Sequence, residues 1–167
     1  TGNLGDSFIG LQILKNKFKF KKKIKDFFIK KYYKPDIHYA LAKKLLNFAN
    51  SSIDISDGLI SDLDKMINNQ NYSYQINADK IPISKYLAEF LRNSKFKKLN
   101  LISKGDDYQV LFTASSIKSR IIMKTSSILG IKITKIGKIT SGSKKESIID
   151  QKGKQMLLKN KGYIHQF

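Results

Sequence analysis

Residues 53–64 read IDISDGLISDLD, and they gather four carboxylates in a chain whose net charge is +19. The short run 52–55 reads as the end of a buried strand. Leu59, Leu63, Met66 and Ile67 then recur at helical spacing to about Asn68. The acids therefore fall on a strand-turn-helix junction. There the first N–H groups of the helix lack partners and carry positive dipole, so anions, phosphates included, are welcome. Ser56 or Asp57 is placed to cap that end. Asp54 closes the strand and Asp57 opens the helix, so both carboxylates can face one crevice, where their repulsion favours an intervening cation. Magnesium suits such a place, because it takes one or two protein carboxylates and completes its shell with water and substrate phosphate. Ser56 adds a hydroxyl for a phosphate oxygen, and Gly58 permits close backbone approach. The plainer alternative is that Asp54 and Asp57 only cap the helix. Asp62 and Asp64 read as decoration of its exposed face.

A second acidic turn, Gly105-Asp106-Asp107-Tyr108, opens another strand, along which Tyr108, Val110 and Phe112 alternate. Neighbouring aspartates point to opposite sides of a strand, so one can face a site while the other meets backbone or water. A tight turn favouring Asp explains them equally well. Near the end, KGYIHQF (161–167) offers Tyr163, either a core residue or a ring lying against a planar ligand.

Outward from these turns, helices and strands alternate without a repeat period. Ile9, Leu11 and Leu14 start a helix behind the glycines of TGNLGDSFIG. Asp36 caps a helix carrying Ile37, Leu41, Leu45 and Phe48 as far as Asn50. A strand is expected over 74–76, a short helix over 84–90, and a helix over 115–129 with Ile117, Ile121, Ile122 and Ile128 on its apolar side. A strand over 131–140 turns at SGS (141–143) into a hairpin partner over 146–149. The expectation is a single α/β (α+β) domain over 1–167, a mixed sheet covered by helices.

Between Lys15 and Lys34 lysines interleave with Phe18, Phe20, Phe27, Phe28, Tyr32 and Tyr33. Such a run can bind single-stranded nucleic acid by stacking and phosphate contact. It can also be a connector whose aromatics dock on the core beneath lysine stems. The cations are nearly all lysine, with only Arg92 and Arg120. Specific readers of nucleic acid lean on arginine, so no specific nucleic-acid partner is expected. The chain has no cysteine, no apolar run of membrane-spanning length and no export signal, which favours a cytoplasmic protein without disulfides or thiolate metal sites.

TGNLGDSFIGLQIL (1–14), YYKP (32–35), IDISDGLISDL (53–63), IPIS (81–84), GDDYQVLFT (105–113), KIGKIT (135–140) and KGY (161–163) follow in the order and approximate spacing of one family. The chain resembles the carboxy-terminal domain of thiamine-monophosphate kinase, within the wider aminoimidazole ribonucleotide (AIR) synthase superfamily. That resemblance implies ATP as co-substrate, thiamine phosphate as acceptor, magnesium as cofactor and a full-length homodimer. It implies Asp54 and Asp57 as magnesium ligands, Ser56 as a nucleotide contact, Asp106 near the thiamine phosphate and Tyr163 against its rings. It names no catalytic general base, since phosphoryl transfer rests on positioning and charge neutralisation. Gln109 stands where the family commonly has glutamate. The family's amino-terminal ATP-binding domain has no counterpart before Thr1, so the chain alone is expected to be inactive. Two rival readings are another AIR synthase-superfamily ATP-dependent enzyme and a lysine-rich nucleic-acid-binding module.

Overall fold

In the computed structural model, residues 1–68, 70–142, 146–158 and 161–163 are described. The chain runs α1 (Asp6–Leu14), α2 (Lys22–Tyr33), α3 (Tyr39–Leu45), β1 (Ala49–Asp54), α4 (Leu59–Ile67), β2 (Tyr72–Asn77), α5 (Lys85–Arg92), α6 (Lys98–Ile102), β3 (Val110–Ala114), α7 (Ser119–Leu129), β4 (Gly137–Ser141) and β5 (Ser147–Ile149). The strands form two small sheets. β1 pairs antiparallel with β3, Asp54 opposite Val110 and Ile53 opposite Leu111. β2 lies between β4, antiparallel to it, and β5, parallel to it. The mixed α/β class expected from the sequence holds, with its strands divided between two sheets.

Two apolar clusters hold these layers. In the larger, Leu59, Leu63 and Ile67 of α4 meet Ile55, Ile76, Ile81, Leu111 and Ile148, so the helix behind the first acidic turn is anchored to both sheets. The smaller joins Ile9 and Ile13 of α1 to Phe28 of α2, Leu87 of α5 and Leu101 of α6. Phe18, Phe20, Phe27 and Phe90 pack around it with ring centroids about 5 Å apart, the attractive tilted and edge-on arrangements of aromatic pairs. Most lysines of residues 15–34 stay in water above these rings. The run is thus the docked form of the two readings, and half of it is helix rather than connector. With Phe18, Phe20, Phe27 and Phe28 turned inward, it presents no stacking platform built from them.

Several expected elements are shorter or differently paired. Asp36 caps nothing and forms an ion pair with Lys31. α3 stops at Leu45 because Ala49 and Asn50 are claimed by β1, whose first residue lies opposite Ala114. The apolar side of α7 is at the surface: Ile117, in the short 3-10 turn before it, and Ile128 are 87% and 68% exposed. The strand expected over 131–140 begins only at Gly137, since β2 ends at Asn77 and its last rung is the Asn77 N–H to Ile136 carbonyl bond of 2.8 Å. β5 is no hairpin partner of β4; β2 lies between them, where Ile148 reaches the core beside Ile76. On β3 the most buried side chain is Leu111, while Val110 and Phe112 are half-buried, Phe112 against Phe48.

α1 and α2 approach closely at Gly10, where a Cβ would sit 2.3 Å from the Phe28 carbonyl oxygen. Alanine normally improves a helix interior over glycine by about 1 kcal/mol. Here backbone must move, so Gly10→Ala is expected to destabilise the fold by about 1–3 kcal/mol in urea unfolding.

Candidate functional site

The two acidic turns, fifty residues apart in sequence, are joined by backbone hydrogen bonds that continue the β1–β3 ladder. Ile55 N–H donates to the Gln109 carbonyl (2.8 Å), Tyr108 N–H to the Ile55 carbonyl (2.8 Å) and Asp106 N–H to the Ser56 carbonyl (2.9 Å). Tyr163 N–H donates to the Asp57 carbonyl (2.9 Å), bringing the end of the described chain to the same place. Ser56, Asp57, Asp106 and Tyr163 therefore meet at one seam through their backbones, and Asp54, exposed, ends β1 beside it. Glycine makes the approach possible: a Cβ on Gly105, whose φ is +74°, would lie 2.2 Å from the Ser56 carbonyl oxygen.

The aspartates of the second turn point apart. Asp107 is buried and its Oδ2 accepts from Gly5 N–H at 2.7 Å, at the start of α1. Asp106 is half-exposed on the side of Asp57. The separation comes from left-handed backbone at Asp106 (φ +60°) and Tyr108 (φ +50°), since β3 begins only at Val110. Such conformations are uncommon for non-glycine residues, most of all for a tyrosine, and the hydrogen bonds of the seam hold them.

Burial, and then the charge of Asp57, raise the pKa of Asp106. Burial pushes Asp107 up to about 7 despite the Gly5 and Ser7 N–H groups, with the Asp6 charge adding to the rise. Asp6, buried beside the Ser84 hydroxyl that donates to it at 2.6 Å, is raised by burial to about 6.

Asp62 corrects the sequence reading most. It is only 1% exposed, and its Oδ2 accepts from the N–H groups of Ser56 (2.9 Å), Asp57 (2.9 Å) and Gly58 (3.2 Å). Those are the donors that seemed available to phosphate at the head of α4. An internal carboxylate has taken them, so neither Ser56 nor Asp57 caps the helix through its side chain. Asp62 Oδ1 holds Lys65 at 2.9 Å, and the same ammonium is paired with Asp57. Hydrogen bonds to Asp57 and then Asp62 raise the Lys65 pKa. A sequence signal existed: Asp62 falls three residues after Leu59 and four before Met66, on the buried stripe of the helix. Asp64 remains partly exposed in an ion pair with Lys161.

Among the described residues no three His, Asp or Glu side chains form a ready-made metal cluster. The donors that are present fit magnesium, which needs few protein carboxylates. Asp57 and Asp106 bear on one another as like charges, which a divalent ion would relieve. A larger apolar hollow of about 440 Å³ between β3, α7 and β4 is lined by residues such as Leu63, Met66, Phe112 and Ile122, with no acid among them. Its wall is mostly apolar, with Lys135 and Lys138 as its cationic side chains. Gln109 is buried, its Oε1 near His38 Nε2 (2.9 Å) and accepting from Thr1 Oγ1 (2.9 Å), so it packs behind the seam.

No family model matches the chain. A thiamine-monophosphate kinase of Buchnera aphidicola subsp. Schizaphis graminum is 40% identical over 99% of this chain and 51% of its own length. The solved structure of AaThiL complexed with AMPPCP and TMP shares 25% identity at a TM-score of 0.75, over 98% of this chain and 50% of that one. The hydrogenase maturation protein HypE of Escherichia coli, 13% identical, has the same fold at a TM-score of 0.70 over 95% of this chain and 47% of its own. The chain spans about half the length of the curated relatives it matches.

Asp62→Ala would strand three N–H groups, and unfolding in urea should show a loss of about 3 kcal/mol or more; Asp62→Asn, which keeps an acceptor, should lose less. Asp6 and Asp107 have folded pKa values above their unfolded ones, so their stabilising contribution is complete below about pH 4 and is lost as pH rises through 6 to 7. The stability of Asp107→Asn relative to the unmodified chain should accordingly grow as pH is raised from about 4 to 7, by at most about 1.4 kcal/mol per pH unit, and level off above that.

Proposed function

This chain is a relative of the thiamine-monophosphate kinases over 99% of its length, and we propose that it supplies the carboxy-terminal part of such an enzyme, which moves the γ-phosphoryl group of ATP onto thiamine phosphate to give thiamine diphosphate. The observation that carries this reading is the seam: the two most specific motifs of the resemblance, 53–59 and 105–113, meet through the bonds of Ile55, Ser56, Tyr108 and Asp106. One acid from each motif, Asp57 and Asp106, lies close enough for the charge of the first to bear on the second, which a mere pair of helix caps would not require.

Asp54 and Asp57 are the magnesium ligands in this reading, and magnesium, when bound, neutralises phosphate oxygens so that donor and acceptor can approach. The chain's own residues orient. Asp62 fixes the backbone from Ser56 to Gly58, which sets the direction of the Asp57 carboxylate and leaves the Ser56 hydroxyl for the nucleotide. Asp106 faces the thiamine phosphate, with Asp107 locking the turn from behind. Tyr163, held by its N–H to Asp57 and 63% exposed, lays its ring against the thiamine, whose thiazolium cation favours an aromatic face. No residue need remove a proton from an acceptor that is already a phosphate.

The full-length enzyme is a cytoplasmic homodimer in the same reading. Exposed Tyr39 and Leu46 around α3 and Met123 and Ile128 on α7 give it apolar surface to bury against the rest of the enzyme. No described helix is long and apolar enough to cross a membrane. The test is ATP-dependent conversion of thiamine phosphate by this chain alone and by a fusion to the half of the Buchnera relative that lies outside the match. Product is expected from the fusion only, falling about 100-fold or more with Asp57→Asn. A fusion that turns over equally well with Asp57→Asn would remove Asp57 from the metal.

A further inference from the structure

Asp57 already has a cation. Lys65, two turns into the site's own helix, places its ammonium on Asp57 Oδ2 and on Asp62 Oδ1, the second contact 2.9 Å long. Asp62 is buried and fixed by three backbone donors, so it is a rigid arm; Lys65 is half in water, with 48% of its side chain exposed, so it is the movable partner. An ammonium and a divalent ion at one carboxylate repel each other, and the ion carries twice the charge.

We propose that Lys65 is a resident counter-ion of the site: it holds Asp57 while no metal is bound, and an incoming divalent cation must displace it from Asp57 Oδ2, leaving it on Asp62. This makes Lys65 a positioning residue that weakens metal binding in exchange for an ordered empty site. It rests on the reading of Asp57 as a metal ligand, so the two must be tested separately.

The experiment is titration of the purified chain with Mn²⁺, followed by electron paramagnetic resonance of the free ion, for the unmodified chain and four variants. Lys65→Met should bind Mn²⁺ about two- to five-fold more tightly, the range set by a partly exposed ion pair. Lys65→Arg should stay near the unmodified affinity. Lys161→Met removes the same charge from the other side of α4, where the lysine serves Asp64 and Glu146, and should also change little. Asp57→Asn should abolish the binding. Unchanged or weaker binding by Lys65→Met, with Asp57→Asn still inactive in binding, overturns the inference alone. Equal gains from Lys65→Met and Lys161→Met would reduce the effect to net charge and overturn it as well. Binding that survives Asp57→Asn, or no binding by any form, overturns the metal reading and the inference with it. Circular dichroism melts of each variant separate these outcomes from unfolding.

Discussion

Everything at the candidate site depends on a few backbone hydrogen bonds between Ile55 and Ser56 on one side and Asp106, Tyr108 and Gln109 on the other. They extend the β1–β3 ladder past the end of both strands, into two turns that would otherwise be independent loops. The extension demands left-handed backbone at Asp106 and Tyr108 and the absence of a side chain at Gly105. Side-chain direction then follows. The strained turn sends Asp106 toward Asp57 and drives Asp107 inward to the head of α1, so one short segment both presents an acid and ties the sheet to a helix.

Asp62 gives the first turn the rigidity that the seam alone would not. A carboxylate accepting several backbone N–H bonds is a strong, charge-assisted anchor, and burial strengthens it further. Its effect on chemistry is to occupy the three amides of the turn that leads into α4, which an anion could otherwise have used. With those amides taken, a cation between the acids and a negative group is the simplest way to attract that group to the turn. The overall charge of the chain does not oppose this, because the nearest cation, Lys65, is itself committed to the acids.

The lysine-rich segment belongs to the packing of the molecule. Its aromatics complete the smaller core with Leu87, Leu101 and Phe90, and that core supports α1, whose first turn receives Asp107. The segment therefore contributes to the site at a distance, through packing. Its lysines, long and flexible, lie in water where lost side-chain entropy is least, and the stems cover apolar surface below.

The sequence by itself determined the local pieces: the strand-turn-helix around Asp54 and Asp57, the helical stripe Leu59–Leu63–Ile67, the α/β class and the two motifs that carry the family resemblance. These depend on periodicity and turn chemistry within about ten residues, which a linear reading can see. Tertiary structure decided which of Asp106 and Asp107 faces outward, that Asp62 is a buried anchor, that Lys65 sits on Asp57, and that β5 joins β2 and leaves β4 on the far edge. Each of these is a choice among locally equivalent options, settled by burial and by which backbone groups remain to be paired. The place of Asp62 on the buried stripe is visible in the sequence, but that three amide hydrogens and not water receive its carboxylate is decided only by the closing of the turn over it.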